Sequence, residues 1–260
     1  MSDNILLTEL KDGVLTLTLN RPKANAFNDE LIAALKDGLK QAKQDAAVRC
    51  VLLTANGKLF SAGQDVTVFD GREVSFRAHL LKNYNPLILQ MRQLEKPILA
   101  AVNGAVAGAA LGIIMACDLR IAAEEARFVV GFGGIGLAPD SAVSLMLPTL
   151  IGLGRAAEAA FFNEPITAEQ ALVWGLVNKV VKGSELMSAA GEWAARLAIG
   201  PVYAMGLTKR DFNKSMLSNL EEVLDYESYN QETAGRGPDH KEGLAAFLEK
   251  RAPDYSKAAK

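Results

Sequence analysis

The sequence predicts an α/β protein with an all-helical C-terminal region, and three observations carry that expectation. Strand-length apolar segments alternate with helix-period segments along residues 1–200, an order that indicates parallel pairing. The charge-free run Ile98–Cys117 breaks at Asn103-Gly104 into a buried strand and a buried helix. From Pro201 onward the chain turns helical and more charged, which divides it into a core at 1–200 and a helical region at 201–260. With 260 residues and 50% hydrophobic side chains, the chain can bury roughly 70–75% of its unfolded surface in one large core.

Ile5–Leu10 and Val14–Asn20 read as a hairpin across Lys11-Asp12-Gly13, with Leu15, Leu17 and Leu19 alternating against Val14, Thr16 and Thr18. Asn28 is the expected N-cap of a helix over 29–45, with Asp29 and Glu30 in its first turn and Leu31, Leu35 and Leu39 on one face. Lys36, Lys40 and Lys43, interleaved with Asp37 and Asp45, read as its solvated face. A strand at Cys50–Thr54, a glycine-bearing loop through Asp65 and a polar helix near Arg77–Leu94 follow. Next come the strand Ile98–Val102, the helix Ala109–Cys117, and two short strands at Leu119–Ala122 and Ala126–Val130. The C-terminal helices show apolar faces at Leu217, Leu220, Val223 and Leu224, and again at Leu244, Phe247 and Leu248. That segment is too short to enclose a core, so those faces must dock on the main body or on another subunit.

Composition excludes several classes. With 28 Lys+Arg against 30 Asp+Glu, there is no electrostatic footprint for nucleic acid or an anionic membrane. The run Ile98–Cys117 has small-xxx-small spacing at Gly104, Gly108 and Gly112 but is rich in Ala and Gly, so it reads as buried core and not as a membrane span. The N-terminus lacks a basic region and a sustained apolar stretch, and so reads as mature protein. Cys50 and Cys117 match no disulfide framework or metal spacing and indicate reduced thiols in a cytoplasmic protein. Two histidines, His79 and His240, make a zinc site improbable, and His79 reads as a surface residue of its polar helix.

Gly131-Phe-Gly-Gly-Ile-Gly136 matches the dinucleotide fingerprint, but it lies mid-chain and runs into Leu137-Ala138-Pro139 where a helix should already be under way. It reads as a glycine-rich loop. Two other segments are shaped to present backbone N–H groups. Leu59-Phe60-Ser61-Ala62-Gly63-Gln64-Asp65 leaves a strand through small residues, and Asn103-Gly104 through Ala109-Ala110 enters a buried helix through small residues. Unpaired N–H groups at a helix N-terminus stabilise a developing oxyanion, although either segment alone reads equally as tight packing.

These residues resemble the enoyl-CoA hydratase/isomerase, or crotonase, superfamily over almost the whole chain. Asn20-Arg21-Pro22-Lys23-Ala24-Asn25-Ala26 is similar to its N-terminal acyl-CoA loop. Phe60–Asp65 and Lys96-Pro97 through Cys117-Asp118 are similar to its first and second oxyanion loops. Ile166–Ala171, Trp174-Gly175-Leu176-Val177, Glu242-Gly243 and Phe247–Arg251 match later signatures. The resemblance implies a crotonase-like spiral of ββα repeats, a C-terminal helical oligomerisation region, homotrimers or dimers of trimers, and CoA thioesters as ligands without a separate cofactor. It also implies an oxyanion hole from the N–H groups of Gln64 and Ala109. Substrate contacts are implied at Lys23, Ala24, Ala26, Ser61, Ala62, Gly63, Asp65, Gly108, Phe132, Leu137 and Lys250, the last near the CoA phosphates of an adjacent site.

The family's hydratases carry two catalytic glutamates at positions that match Gly112 and Phe132 here, so both carboxylates are absent. The acidic residue of the active-site loop is Asp140, in a Pro-Asp pair similar to that of the isomerases of phenylacetate degradation. Tyr84-Asn85-Pro86-Leu87 and Phe247–Arg251 also look like that subgroup. Hydration needs water oriented and a proton delivered, work for two facing carboxylates, whereas shifting a double bond needs one base that takes a proton at C2 and returns it at C4. Phe132, Ile135 and Leu137 are the apolar residues expected to raise the Asp140 pKa. Asp140 ahead of Ser141–Leu147 also has the pattern of a helix N-cap. The family's dehalogenases pair an aspartate nucleophile with a histidine base, but the matching neighbourhood reads Asn83-Tyr84-Asn85. The expectation is an enoyl-CoA isomerase, with a ring-1,2-epoxyphenylacetyl-CoA isomerase, a hydratase, or a non-catalytic acyl-CoA-binding or RNA-binding member as alternatives.

Overall fold

The computed structural model describes residues 4–22, 24–69 and 75–258. Strands β1 (Leu6–Lys11) and β2 (Val14–Leu19) form the expected hairpin, and Leu15, Leu17 and Leu19 face the core. Helix α1 (Asp29–Gln44) starts at Asn28, whose side chain accepts from the Leu31 N–H, and ends where Lys96 Nζ donates to the Ala42 and Asp45 carbonyls.

Three ββα turns follow, each placing its first strand in one sheet and its second in another. The first holds β3 (Cys50–Ala55), β4 (Leu59–Ser61), α2 (Phe76–Lys82) and α3 (Tyr84–Gln93); the second holds β5 (Ile98–Val102), β6 (Ala105–Ala107) and α4 (Ala109–Ala116). The third holds β7 (Leu119–Ala123), β8 (Arg127–Val129), α5 (Val143–Ile151) and α6 (Leu153–Phe162). Strand β9 (Ile166–Thr167), helix α7 (Ala168–Trp174) and strand β10 (Lys179–Val181) complete the sheets. The larger sheet runs β1-β2-β3-β5-β7-β10, parallel from β2 onward, and the smaller runs β4-β6-β8-β9.

The central strands are uninterrupted apolar runs because both faces of the large sheet are covered. Val51, Leu53 and Ala100 face the main core, while Leu52, Leu99 and Ile121 face α8 (Leu186–Ile199) through Ala190 and Ala194. The run Ile98–Cys117 thus resolves into two strands and a helix; among the described residues no helix is long and apolar enough to cross a membrane. Both cysteines are free, and burial pushes their thiols up to about 12.

The segment 77–94 corrects the sequence expectation, being two helices that meet at Asn83. Pro86 has no N–H to give the Lys82 carbonyl, which accepts from Lys36 Nζ instead. Nor is it polar, because Leu80, Leu87, Ile88 and Met91 are buried. Strands β4 and β6 are further additions, three residues each and too short to show alternation.

After α8 the chain is helical: α9 (Val202–Met216), α10 (Leu220–Gly235), α11 (Pro238–Glu249) and α12 (Tyr255–Ala258). Leu220 and Leu224 join the main core, whereas Phe247 and Leu248 stay largely exposed. Helix α9 docks through a buried charge cluster. Asp118 accepts from the Ile98 N–H, from Arg92 Nη1 at 3.0 Å and from Lys209 Nζ at 2.9 Å, with Lys209 buried.

Removing one partner of a buried ion pair strands the other charge, at about 3–5 kcal/mol. Asp118→Ala is therefore expected to lower stability by an amount of that order in urea denaturation, and Lys209→Met, which removes the buried cation itself, to cost less.

Candidate active site

The N-terminal loop and the first crossing are tied together residue by residue. Asn25 Nδ2 donates to the Asn56 and Leu59 carbonyls, the Ser61 hydroxyl to the Asn25 carbonyl, and the Ala62 N–H to the Ala24 carbonyl. Asp65 pairs with Arg21 at 2.8 Å. Phe27 and Gln64 form a parallel bridge in which the Phe27 N–H donates to the Gly63 carbonyl and the Asp65 N–H to the Phe27 carbonyl. That pattern turns the Gln64 N–H away from Phe27, and among the described residues it meets no backbone acceptor.

The second crossing lies against the first. Gly63 has φ +86°, and a Cβ there would sit 2.7 Å from the Ala107 carbonyl oxygen. Gly108, also at positive φ, turns the chain from β6 into α4, so that the Ala109 N–H is one of the unpaired donors at a helix start. It too meets no backbone acceptor among the described residues.

Gln64, Ala109 and Asp140 line one cavity of about 350 Å³, together with Ala62, Gly108, Phe132 and Leu137. Phe76, His79, Tyr84 and Phe247 extend its wall. The position of His79 corrects the expected surface residue: its side chain is only 12% exposed. Asn83 Nδ2 donates to His79 Nδ1 at 3.0 Å, which leaves Nε2–H to donate to Gln64 Oε1 at 3.1 Å. The Tyr84 hydroxyl donates to the same Oε1 at 2.6 Å. Burial lowers the His79 pKa, and with both ring nitrogens engaged the ring holds the Gln64 side chain in place.

Asp140 is buried, and among the described residues no cation pairs with it. Oδ1 accepts from the Ser141 hydroxyl at 2.7 Å and Oδ2 from Gln231 Nε2 at 2.8 Å. Burial pushes its pKa up to about 6 despite these two donors. The N-cap alternative is not what the structure shows: α5 starts later, at Val143, and its capping position is Ala142. Asp140 contributes only its carbonyl, accepting from the Val143 N–H, so its carboxylate is left to the cavity.

A Cβ on Gly112 would overlap the Ser141 carbonyl and come 2.8 Å from Ser141 Cβ, so no side chain fits there beside this loop. The glycine-rich stretch 131–136 serves packing. A Cβ on Gly136 would lie 2.6 Å from His240 N, and one on Gly243 would lie 2.6 Å from the Ile135 carbonyl carbon, so α11 rests on this loop main chain to main chain. His240 Nδ1 donates to the Ile135 carbonyl at 2.8 Å.

Of the other expected contact residues, Ala24 lines a separate cleft with Asn56 and Lys58. The Ala26 carbonyl accepts from Arg21, and Ser61 and Gly63 support the loop from behind. Lys250 ends α11 in a left-handed cap, exposed and outside the cavity lining of its own chain. Lys23 lies outside the described residues. Residue-level reading missed His79, Tyr84, Gln231 and Glu227 as site components. The only prior signal for the last two is their spacing of four on one helix.

The family model described as enoyl-CoA hydratase/isomerase matches residues 9–258. The 1,2-epoxyphenylacetyl-CoA isomerase of Escherichia coli is 39% identical over 256 residues, covering 96% of this chain and 98% of its own. The 4-chlorobenzoyl coenzyme A dehalogenase-1 of Arthrobacter sp is 34% identical over 255 residues, covering 96% and 92%. Among solved structures, an enoyl-CoA hydratase from Mycobacterium avium subsp. paratuberculosis superposes with a TM-score of 0.88 at 32% identity, covering 96% of this chain and 98% of that one.

The raised pKa of Asp140 has a stability consequence. Below the ordinary value of 3.8 the group is protonated in both folded and unfolded chains; as pH rises from there through about 6 the folded state holds the proton longer, and folding free energy is lost. The full loss, reached above that window, is of order 3 kcal/mol. Asp140→Asn is therefore expected to raise the melting temperature by several degrees at pH 8, with the gain fading toward pH 4. In that variant Gln231 can turn its amide so that Oε1, which has no hydrogen-bond partner among the described residues, accepts from the introduced side-chain amide.

Proposed function

Because this chain belongs to the enoyl-CoA hydratase/isomerase family, we propose that it is an enoyl-CoA isomerase that moves a C3 double bond of an acyl-CoA to C2. The observation that carries the reading is one buried carboxylate, Asp140, which among the described residues has no cation beside it and shares its cavity with two backbone N–H groups that meet no backbone acceptor and with no second acidic side chain in the lining. In this scheme Asp140, ionised, takes a proton from C2, and the electron pair moves into the thioester carbonyl. The resulting enolate oxygen accepts from the Gln64 and Ala109 N–H groups. As the carbonyl re-forms, the C3–C4 pair takes the same proton from Asp140 at C4, leaving the double bond at C2. A pKa of about 6 suits the task, being close enough to neutrality both to accept and to return the proton. No separate cofactor is needed, since coenzyme A is part of the substrate.

The aromatic side chains Phe76, Tyr84, Phe132 and Phe247 around the cavity, with the 39% identical relative, favour one second reading, ring-1,2-epoxyphenylacetyl-CoA isomerisation. Hydration is disfavoured, because Gly112 and Phe132 bring no carboxylate to the cavity. For assembly, Leu153, Phe161, Phe162 and Val173 are each more than 70% exposed on α6 and α7. A second copy of the chain in a homotrimer, or in a dimer of trimers, is the proposed cover.

The deciding experiment offers the purified protein a 3-enoyl-CoA, a 2-enoyl-CoA and the ring epoxide, following conjugated-thioester absorbance and product mass. Asp140→Asn should lower isomerisation by about 100-fold or more with acyl-CoA affinity nearly intact; a wild-type rate would reduce Asp140 to a structural group. Because the base must be ionised, kcat/KM should rise with pH through about 6 and then level. Hydration of the 2-enoyl-CoA at a comparable rate would refute the single-carboxylate scheme. Phe161→Glu with Phe162→Glu should lower the mass read by light scattering, and an unchanged mass would remove this face from the assembly.

A further inference from the structure

Ser141 and Ala142, directly after Asp140, both have positive φ, 57° and 65°. Side chains other than glycine avoid that backbone at roughly 1–3 kcal/mol each, and it persists only where the surroundings over-determine it. It also prevents ordinary capping of α5. A local N-cap side chain requires extended backbone at the capping residue, whereas Ala142 is left-handed and has no side-chain acceptor to offer.

The missing cap arrives from a helix 85 residues away in sequence. Glu227 on α10 accepts from the Ala142 N–H through Oε2 at 2.8 Å. Its Oε1 accepts from the Ser144 N–H at 2.9 Å and from the Ser144 hydroxyl at 2.5 Å. Glu227 is 3% exposed, and among the described residues no cation balances it. One helical turn on, Gln231 donates to Asp140 Oδ2. A single helix therefore grips the turn at two points, by its backbone and by its carboxylate.

We propose that Glu227 is a positioning residue for Asp140: its carboxylate holds the strained Ser141-Ala142 turn that aims Asp140 into the cavity, while Gln231 fixes the rotation of the Asp140 carboxylate. The inference rests on the reading of Asp140 as the proton shuttle. It accounts for the burial of a second carboxylate near the first, where burial first and the Asp140 charge after it push the Glu227 pKa up to about 7, a cost that a neutral local cap would avoid.

The test uses the full-length protein, its 3-enoyl-CoA isomerisation kinetics between pH 5 and 9, and a melting curve for each variant. Glu227→Gln keeps the size but turns an amide N–H group toward one of the backbone donors. It should lower kcat by about 10-fold or more with KM nearly unchanged, since a small misplacement of a reacting group is costly while binding contacts persist. The acid limb of kcat/KM should also move to lower pH, because the loosened turn admits water to Asp140 and relieves the burial that raises its pKa. Ser144→Ala deletes only the hydroxyl donor at an exposed position and should give a smaller change in the same two directions.

A folded Glu227→Gln protein with wild-type kcat and pH profile overturns the proposal. If Glu227→Gln does not fold, Ser144→Ala decides: a lower kcat with a shifted limb supports it, and unchanged kinetics overturn it. Turnover retained by Asp140→Asn sinks the proton-shuttle reading and this inference with it. Asp140→Asn inactive beside a fully active Glu227→Gln sinks this inference alone.

Discussion

A buried carboxyl group that no cation balances among the described residues is the constraint on which the site depends. Asp140 receives two neutral donors, Ser141 and Gln231, enough to fix its orientation but too few to restore an ordinary carboxylate pKa. Water would relieve the cost, and apolar side chains such as Phe132 and Leu137 share the cavity lining in its place. The stability withheld at neutral pH and the proposed use of the group as a proton carrier therefore have one origin. A cation beside it would stabilise the fold and leave a poorer base.

The C-terminal helices are structural members of this arrangement. Helix α10 meets both sides of the cavity: Glu232 accepts from the Arg77 N–H and the Ser75 hydroxyl at the start of α2, while Glu227 and Gln231 hold the loop after Asp140. Asn85 adds a bond from α3 to the Leu224 carbonyl. The helix also carries Leu220 and Leu224 into the main core, so the element that holds the Asp140 loop is anchored by the apolar contacts that hold the domain together.

What could be read in advance follows the range of each interaction. The Asn28 cap, the buried face of α1 and the strand-turn-helix around Gly108 are local, and sequence spacing shows them. Asp140 and the loops carrying Gln64 and Ala109 were legible as site candidates through their motifs, and the fold brings all three to one cavity. Strands β4 and β6 were not, because three residues cannot display an alternation. His79 is misread from sequence for a reason of geometry. The break at Asn83 and the docking of α2 against α10 decide which way that short helix turns, and neither is visible in a window of polar residues. Glu227 and Gln231 act on residues 85 and 91 positions away, beyond any local pattern.

The close approaches at Gly136 and Gly243 bear on how such a protein can drift. Where α11 crosses the 133–136 loop, their spacing is set at these two positions by main chain approaching main chain. Side chains line the cavity from α2, Phe76 and Leu80, and from α11, Leu244 and Phe247. Accommodation of longer or wider acyl groups through point substitutions is consequently channelled to those side chains, while the two glycines tolerate almost nothing. Neighbouring positions thus face very different mutational freedom, and acyl preference can wander through the side chains while the seat of the helix stays fixed.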